Sequence, residues 1–289
     1  MKNILMTILV AANILTAWGQ GLPKYDSTEV GSNNKTSKLN LRLQFISDWI
    51  YAGRKDSLTA PYLTPSILYA HHSGFFVKGF LSYLTTEKRI DLWGVGAGYR
   101  MNKGNLYWGI GGELRLFNDS SYAVQSSVSS MAYSYLGYDL PWLETTVDVN
   151  GFFGDTGDIL LGLELGKTFF LAENKLSIYP NVYGLWGTQQ YYSEYYTYKS
   201  TSQRKKQGQG GVEPPPVLAY TVMEKATNFK FLSIDLGLAL KYRFNNVSIH
   251  FLPSYAIPFN AATFKTDNTI SKENLKNTFY YNMGINFLL

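Results

Sequence analysis

The fold is decided by a nine-residue stretch in which the character of the side chains alternates at every position, WGVGAGYRM at residues 93–101. Its odd positions carry apolar or aromatic side chains, whereas its even positions carry three glycines and Arg100. Successive side chains of a β-strand point to opposite faces of the sheet. The stretch therefore predicts a strand with one apolar face and one face of glycine and charge.

The same alternation recurs from residue 39 to the end of the chain. Segments of about ten residues have the length that crosses a bilayer as a tilted strand. On this reading, the first segment continues through Trp49 and Tyr51 with both side chains on the apolar face, and Leu232 belongs to the apolar face of a later segment. The pattern predicts an all-β protein.

The polarity of the two faces indicates which of them points outwards. A soluble barrel packs its apolar face inwards and covers its outside with charge, but here the charged face is also the glycine-rich one, which suits a lumen. An apolar outer face in lipid requires every backbone group to be paired, so the sheet must close. We predict a transmembrane antiparallel up-and-down β-barrel of about twelve strands.

Connections between the predicted strands alternate in length. Short turns, such as those at residues 72–74 and 245–246, alternate with longer connections, of which 188–227 is the longest. Short turns are typical of the periplasmic side and long loops of the extracellular side. The segment from Tyr122 to Leu136 is the weakest strand, because its apolar parity slips around Val128 to Met131 and indicates a bulge.

The N-terminus predicts export. A short polar start, an apolar run from Ile4 to Leu15 and small residues at Ala17 and Gly19 are typical of a signal peptide, so residues 1–19 are assigned to it. Residues 20–38 follow as a polar periplasmic leader, and residues 39–289 form the barrel. The chain contains no cysteine, which excludes disulfides, thiolate metal sites and a lipoprotein anchor.

With its exported start, alternating strands and final FYYNMGINFLL at residues 279–289, the chain resembles bacterial outer-membrane β-barrel proteins in general. The resemblance implies residence in the outer membrane, contact with its lipid and lipopolysaccharide, and insertion by the barrel-assembly machinery. The last strand of such proteins usually ends in an aromatic residue, whereas here Phe287 is followed by two leucines.

Charged residues on the inward face are the candidate site. Six acids and six bases fall there, together with one histidine, and near-balance favours an internal network of ion pairs that either plugs the barrel or lines a wet pore. The predicted lumen-lining residues are Arg42, Asp48, Lys78, Arg100, Glu113, Arg115, Glu144, Asp148, Glu164, Asp235, Lys241, Arg243 and His250.

Catalytic candidates are few. His71 and His72 fall at a predicted periplasmic turn, and His250 shares the inward face of its strand with Ser248 and Ser254, so a serine and a histidine could meet there. Without a nucleophile motif, we expect no catalytic residues, no metal and no cofactor. An outer-membrane lipid hydrolase remains the enzyme alternative.

The long loop is rich in tyrosine and then in basic residues, a composition that suits recognition. Its candidate recognition residues are Tyr191, Tyr192, Tyr195, Tyr196, Tyr198, Arg204, Lys205 and Lys206.

We predict a passive outer-membrane protein, either a narrow channel for a small solute or a structural barrel, that binds no nucleic acid. One alternative is a surface-binding or assembly component acting through the long loop. The other is an enzyme that modifies outer-membrane lipid.

Overall fold

The computed structural model describes residues 36–55, 60–118, 121, 128–154, 156–190, 222–223, 226–266 and 269–289. The predicted signal peptide and all but the last three residues of the predicted leader lie outside the described residues. So do the recognition candidates of the long loop between residues 191 and 206, and residues 122–127 of the weak strand. Among the described residues, no helix has the length and apolar character needed to cross a membrane.

Twelve long strands of the described residues form one closed antiparallel barrel, which confirms the predicted architecture, and the short strand Phe169–Leu171 is added to the same sheet at one end. They are β1 (Lys38–Ile46), β2 (Tyr62–Ala70), β3 (Phe75–Leu84), β4 (Arg89–Lys103), β5 (Leu106–Phe117), β6 (Val128–Asp139), β7 (Glu144–Gly154), β8 (Gly157–Gly166), β9 (Leu176–Gly187), β10 (Lys230–Phe244), β11 (Val247–Pro258) and β12 (Thr278–Leu288).

Each strand pairs with its neighbours in the sequence, and the last strand returns to the first. Leu41 on β1 lies opposite Phe287 on β12, and the backbone groups of Leu39 and Leu289 bond to each other in both directions. The sheet therefore has no open edge between its first and last strands, and the backbone groups of the wall are paired within it.

The longest connections, between β1 and β2, β9 and β10, and β11 and β12, share one end of the barrel, as the sequence predicts, although the connections 85–88 and 155–156 at that end are as short as turns. The turns at residues 71–74, 104–105, 140–143, 172–175 and 245–246 share one end with the start of β1 and the end of β12; we name it the turn end. Asn245 adopts a positive φ of 49° in its two-residue turn, a conformation that asparagine tolerates well. The opposite end is the loop end, and its extracellular placement stays a prediction.

Three β-bulges interrupt the alternation at the loop end. They fall between Ser82 and Tyr83, between Val128 and Ser130, and between Leu185 and Trp186. The second confirms the bulge predicted from the parity slip. The third corrects the assignment of Leu232 to the outer face, because the extra residue turns both Leu232 and its successor Ser233 inwards, where they are fully buried.

The first long connection corrects the prediction for Trp49 and Tyr51. Strand β1 ends at Ile46, and residues 47–55, which we name the mouth hairpin, fold into the barrel with Ile50–Tyr51 paired to Arg54–Lys55. The hairpin turns at Ala52 and Gly53, which have positive φ values of 49° and 75°. Trp49 and Tyr51 are consequently buried inside the mouth rather than exposed on the outer face.

The other long connections also carry short strands. Val222–Met223, within the predicted loop 188–227, pairs with Thr263–Thr266, which pairs in turn with Thr269–Lys272. These strands form a small three-stranded sheet at the loop end.

Candidate functional site: the barrel interior and its mouth

The predicted interior charges are buried in the described structure. Twelve of the thirteen predicted residues are at most 8% exposed, and Arg243 at the turn end of β10 is half-buried. Asp48 lies in the mouth hairpin rather than in a strand and forms an ion pair with Lys55 at 2.8 Å. Buried charges require compensation, so the partners of each group determine what the interior can do.

One group of charges is compensated within the barrel wall. Glu113 on β5 contacts Lys78 on β3 and accepts a 2.8 Å hydrogen bond from Arg115, and all three side chains are almost fully buried. Gly96 of β4 lies between Lys78 and Glu113, and a Cβ there would come within 3.0 Å of both side chains. The glycine therefore leaves the space in which the two charges meet.

Acidic residues gather on another part of the wall. Glu164 on β8, Tyr183 on β9 and Asp235 on β10 are in-register neighbours. Asp148 on the adjacent strand β7 accepts a hydrogen bond from the Tyr183 hydroxyl at 3.3 Å. We name these four residues, Asp148, Glu164, Tyr183 and Asp235, the acidic row.

Two carboxylates of the acidic row have neutral partners. Asp148 accepts a second hydrogen bond from the amide nitrogen of Asn150 at 2.6 Å. Asp235 accepts from the hydroxyls of Ser233 and Tyr280, each at 3.3 Å. Negative charge is thus arranged around the acidic row without a cation among these hydrogen-bond donors.

Basic residues lie on the opposite side and towards the turn end. Arg42 on β1 donates a 2.5 Å hydrogen bond to Asn286. Since β1 and β7 are six strands apart in a sheet of twelve, Arg42 and Asp148 belong to opposite walls. His250 is within electrostatic range of Arg42 and Lys241. The sign of the interior charge therefore changes around the wall.

The catalytic reading of His250 gains no support from this geometry. Ser248 accepts a hydrogen bond from Asn286 at 3.2 Å, and two cations lie close to the histidine. A serine–histidine pair works with an acid that orients the imidazole.

The two turn-end histidines behave as turn residues. His71 and His72 stack with ring centroids 4.0 Å apart, and His71 Nδ1 lies 2.7 Å from the hydroxyl of Ser73. Among the described residues, no group of three or more histidine or acidic side chains could bind a metal ion.

Interior glycines are covered by aromatic rings, a feature that the sequence analysis missed. A Cβ on Gly109 would lie 2.6 Å from the ring of Tyr135, and one on Gly166 would lie 2.6 Å from the ring of Tyr179. Each tyrosine comes from the neighbouring strand and occupies the space that a side chain at the glycine would need. Aromatic rings therefore fill the space over the inward-facing glycines. The lumen is narrower than the sequence alone indicates.

An apolar cluster fills the loop end of the interior. It combines the mouth hairpin with inward side chains of the surrounding strands, including those redirected by the bulges; we name it the mouth cluster. Its buried members are Trp49, Tyr51, Ala52, Ala60, Tyr62, Phe80, Leu84, Leu92, Val128, Phe152, Leu160, Tyr183, Leu185, Leu232 and Ala262.

The mouth hairpin is fastened by a buried ion pair. Arg54 Nε lies 3.1 Å from Glu273 Oε1 in the connection between β11 and β12, and the two side chains are 4% and 10% exposed. The same guanidinium donates to the carbonyls of Ala52, Phe259 and Asn260 at 2.9–3.2 Å. Arg54 therefore joins the hairpin to a connection more than 200 residues away.

Two further carboxylates that the sequence analysis did not select bind the mouth together. Asp158 accepts hydrogen bonds from the Tyr51 hydroxyl at 3.0 Å and from Thr188 at the base of the long loop. Asp91 accepts from the hydroxyls of Tyr62 and Ser121 at 2.7 and 2.6 Å. Asp91 points inwards because of the first bulge, so regular alternation could not have found it.

The outside of the barrel is apolar around the whole wall. Its exposed apolar residues include Leu41, Leu43, Ile67, Trp93, Val95, Ile110, Leu114, Leu116, Leu136, Val147, Val149, Ile159, Val182, Leu236, Leu238, Ile249, Phe251 and Met283.

Towards the turn end, Phe75, Tyr99 and Trp108 form a continuous row of contacting aromatic rings, with centroid separations of 5.0 and 5.6 Å. Soluble monomers rarely expose an apolar surface of this extent, whereas lipid covers it in a membrane barrel with aromatic girdles. The chain is a bacterial outer-membrane β-barrel.

Solved structures with a similar fold are outer-membrane barrels. The KdgM porin aligns over 86% of this chain and 98% of its own, with 10% identity and a TM-score of 0.45. The NanC porin aligns over the same shares with 11% identity and a TM-score of 0.45. OmpT, an outer-membrane protein of Vibrio cholerae, aligns over 88% and 96%, with 9% identity and a TM-score of 0.33. No protein-family model and no curated protein sequence matches the chain.

Proposed function

We propose that the protein is a narrow passive channel for small polar solutes, closed at its loop end by the mouth hairpin. The observation that carries the proposal is the contrast between the two parts of the interior. Apolar packing is concentrated at the mouth, whereas buried charges and their polar partners occupy the wall below it.

In a barrel with only a structural role, buried charges of this kind would add little to the stability of the fold. A buried charge costs free energy unless its partners compensate it fully, and apolar packing of the same volume is often as stable. Compensation of this kind occurs around Glu113, but Asp148 and Asp235 have neutral hydrogen-bond donors. Charged walls of opposite sign are suited to hydrated polar solutes, so we propose that the thirteen predicted interior residues line their path.

Conductance of the purified protein in planar bilayers tests the proposal. The Tyr51→Ala variant removes a ring from the mouth cluster together with the hydrogen bond to Asp158. We expect brief, rare openings in the unmodified protein and a clear rise in mean conductance in the variant. Tyr69→Ala is the matched control, because it removes an equal ring from the lipid-facing side of β2.

The proposal fails if neither the unmodified protein nor Tyr51→Ala conducts although both are folded and inserted. A structural barrel would then be the better account. Contacts with lipopolysaccharide and with the barrel-assembly machinery, and removal of residues 1–19, stay predictions.

A further inference from the structure

Two carboxylates of the acidic row are buried beside neutral groups. Asp148 is 2% exposed and Asp235 is 6% exposed, and in the described structure their hydrogen bonds come from an amide and from hydroxyls. An ionised carboxylate in a water-poor interior is stabilised by a positive partner. A cation that enters the interior could therefore form an ion pair with Asp148 or with Asp235.

A third carboxylate strengthens the negative potential at the same place. Glu164 and Asp235 flank Tyr183 on its two sides in the sheet register, and directly opposite residues have Cβ atoms about 5 Å apart. Both lie within electrostatic range of the Tyr183 hydroxyl, which also donates to Asp148. Three acids thus surround one tyrosine.

A separate observation points to a ligand at this position. The hydroxyl of Tyr179 is buried and has no hydrogen-bond partner in the part of the chain that the structure describes. The ring and oxygen of Tyr179 cover Gly166, the inward-facing position one step turn-ward of Glu164 on β8, and the hydroxyl lies within electrostatic range of Glu164 and Glu144. Its oxygen can accept a hydrogen bond from an N–H group bound between it and the carboxylates.

In the described structure, the two lysines of the interior wall lie away from the three acids. Lys78 is engaged with Glu113 on the other side of the barrel. Lys241 follows Asp235 by six positions on β10, a separation of about 20 Å along the strand.

The chemistry of the site favours an organic cation. Among the described residues, no group of three or more histidine or acidic side chains could bind a metal ion, and Tyr183 separates Glu164 from Asp235 in the sheet. Carboxylates combined with aromatic rings suit an ammonium group, which gains both charge pairing and cation–π attraction.

We infer that the acidic row, together with Tyr179, binds the ammonium group of small organic cations, and that solutes bearing such a group are the class that this channel passes. The inference rests on the proposed channel function. It identifies the acidic row as the part of the channel that selects such a solute.

Binding of ethanolamine to the detergent-solubilised Tyr51→Ala protein, measured by calorimetry at constant ionic strength, tests the inference. The isosteric double variant Asp148→Asn/Asp235→Asn, in the same background, should bind about tenfold more weakly, because both charges that attract the ammonium are removed. Glu87→Gln is the matched control, since it removes a carboxylate that is exposed outside the interior. Equal affinity in the double variant and the control overturns the inference.

A second comparison separates an ammonium site from a general loss of structure. Tyr179→Phe removes only the hydroxyl, so it should weaken ethanolamine, which has N–H donors, and leave choline, which has none on its ammonium, almost unchanged. Equal losses for the two ligands contradict the assigned role of Tyr179. Conductance of the Tyr51→Ala protein, with the acidic row intact, is measured in parallel with potassium and with ethanolammonium as the cation: channel activity without preference for ethanolammonium ends the inference alone, whereas absence of conductance in every folded variant ends the proposed function.

Discussion

Loss of the Arg54–Glu273 ion pair should release the mouth hairpin. Arg54→Ala removes the guanidinium that bonds Glu273 and three backbone carbonyls, and leaves a carboxylate whose side chain is only 10% exposed. Breaking a buried ion pair by removing one partner costs about 3–5 kcal/mol, far more than the same change at the surface.

The loss of free energy destabilises the closed state of the mouth and not the open state, because the ion pair forms only while the hairpin lies against the connection between β11 and β12. At 1.4 kcal/mol per factor of ten, the ratio of open to closed mouths should rise roughly 100- to 4,000-fold. Single-channel recording in planar bilayers measures the ratio directly as open probability.

Exchange of the two charges separates the ion pair from other effects of substitution. Arg54→Glu and Glu273→Arg should each open the mouth, and the double variant should close it in part, because the ion pair returns while the bonds to the carbonyls do not. Lys175→Glu is the control, since Lys175 pairs with Glu173 at an exposed turn. An unchanged open probability in folded Arg54→Ala, or a double variant as open as either single one, would refute the reasoning.

Three further predictions concern the wall. Leu236→Arg places a cation in lipid and should cost about 2–4 kcal/mol in folding into vesicles, whereas Leu236→Ala should have a much smaller effect; equal folding yields would contradict the outward assignment. Gly109→Ala should lower the thermal midpoint, because its Cβ would lie 2.6 Å from a tyrosine ring, while Gly79→Ala has 3.7 Å to its nearest neighbour and should be tolerated. Glu113→Gln leaves two buried cations without their carboxylate and should destabilise by about 3–5 kcal/mol in urea unfolding; a midpoint equal to that of the unmodified protein argues against the pairing.

The alternation of side chains was enough to predict the twelve strands and the closed barrel. This is because one period determines both the strand conformation and the face on which each residue lies. The turn at Asn245 and the bulge near Val128 were also visible, since each breaks the period in a recognisable way.

The mouth could not be predicted in the same way. Trp49 and Tyr51 continue the alternation in sequence although the chain has left the strand at Ile46, and the pattern is the same for a strand and for a hairpin that folds inwards. Leu232 was assigned to the wrong face because a bulge shifts the parity without changing the residue types. The Arg54–Glu273 pair joins residues 219 positions apart, a separation that no local pattern reports.

The central claim, a barrel with lipid outside and charge inside, is tested most directly by the environment of successive residues on one strand. The chain has no cysteine, so single cysteines at positions 234–241 of β10 can each carry a nitroxide label without background. In the folded, vesicle-inserted fraction, collision rates with oxygen should peak at Leu236, Leu238 and Leu240 and fall at Asp235, Gly237 and Ala239. A profile with the opposite phase, or one without a period of two, would contradict the account.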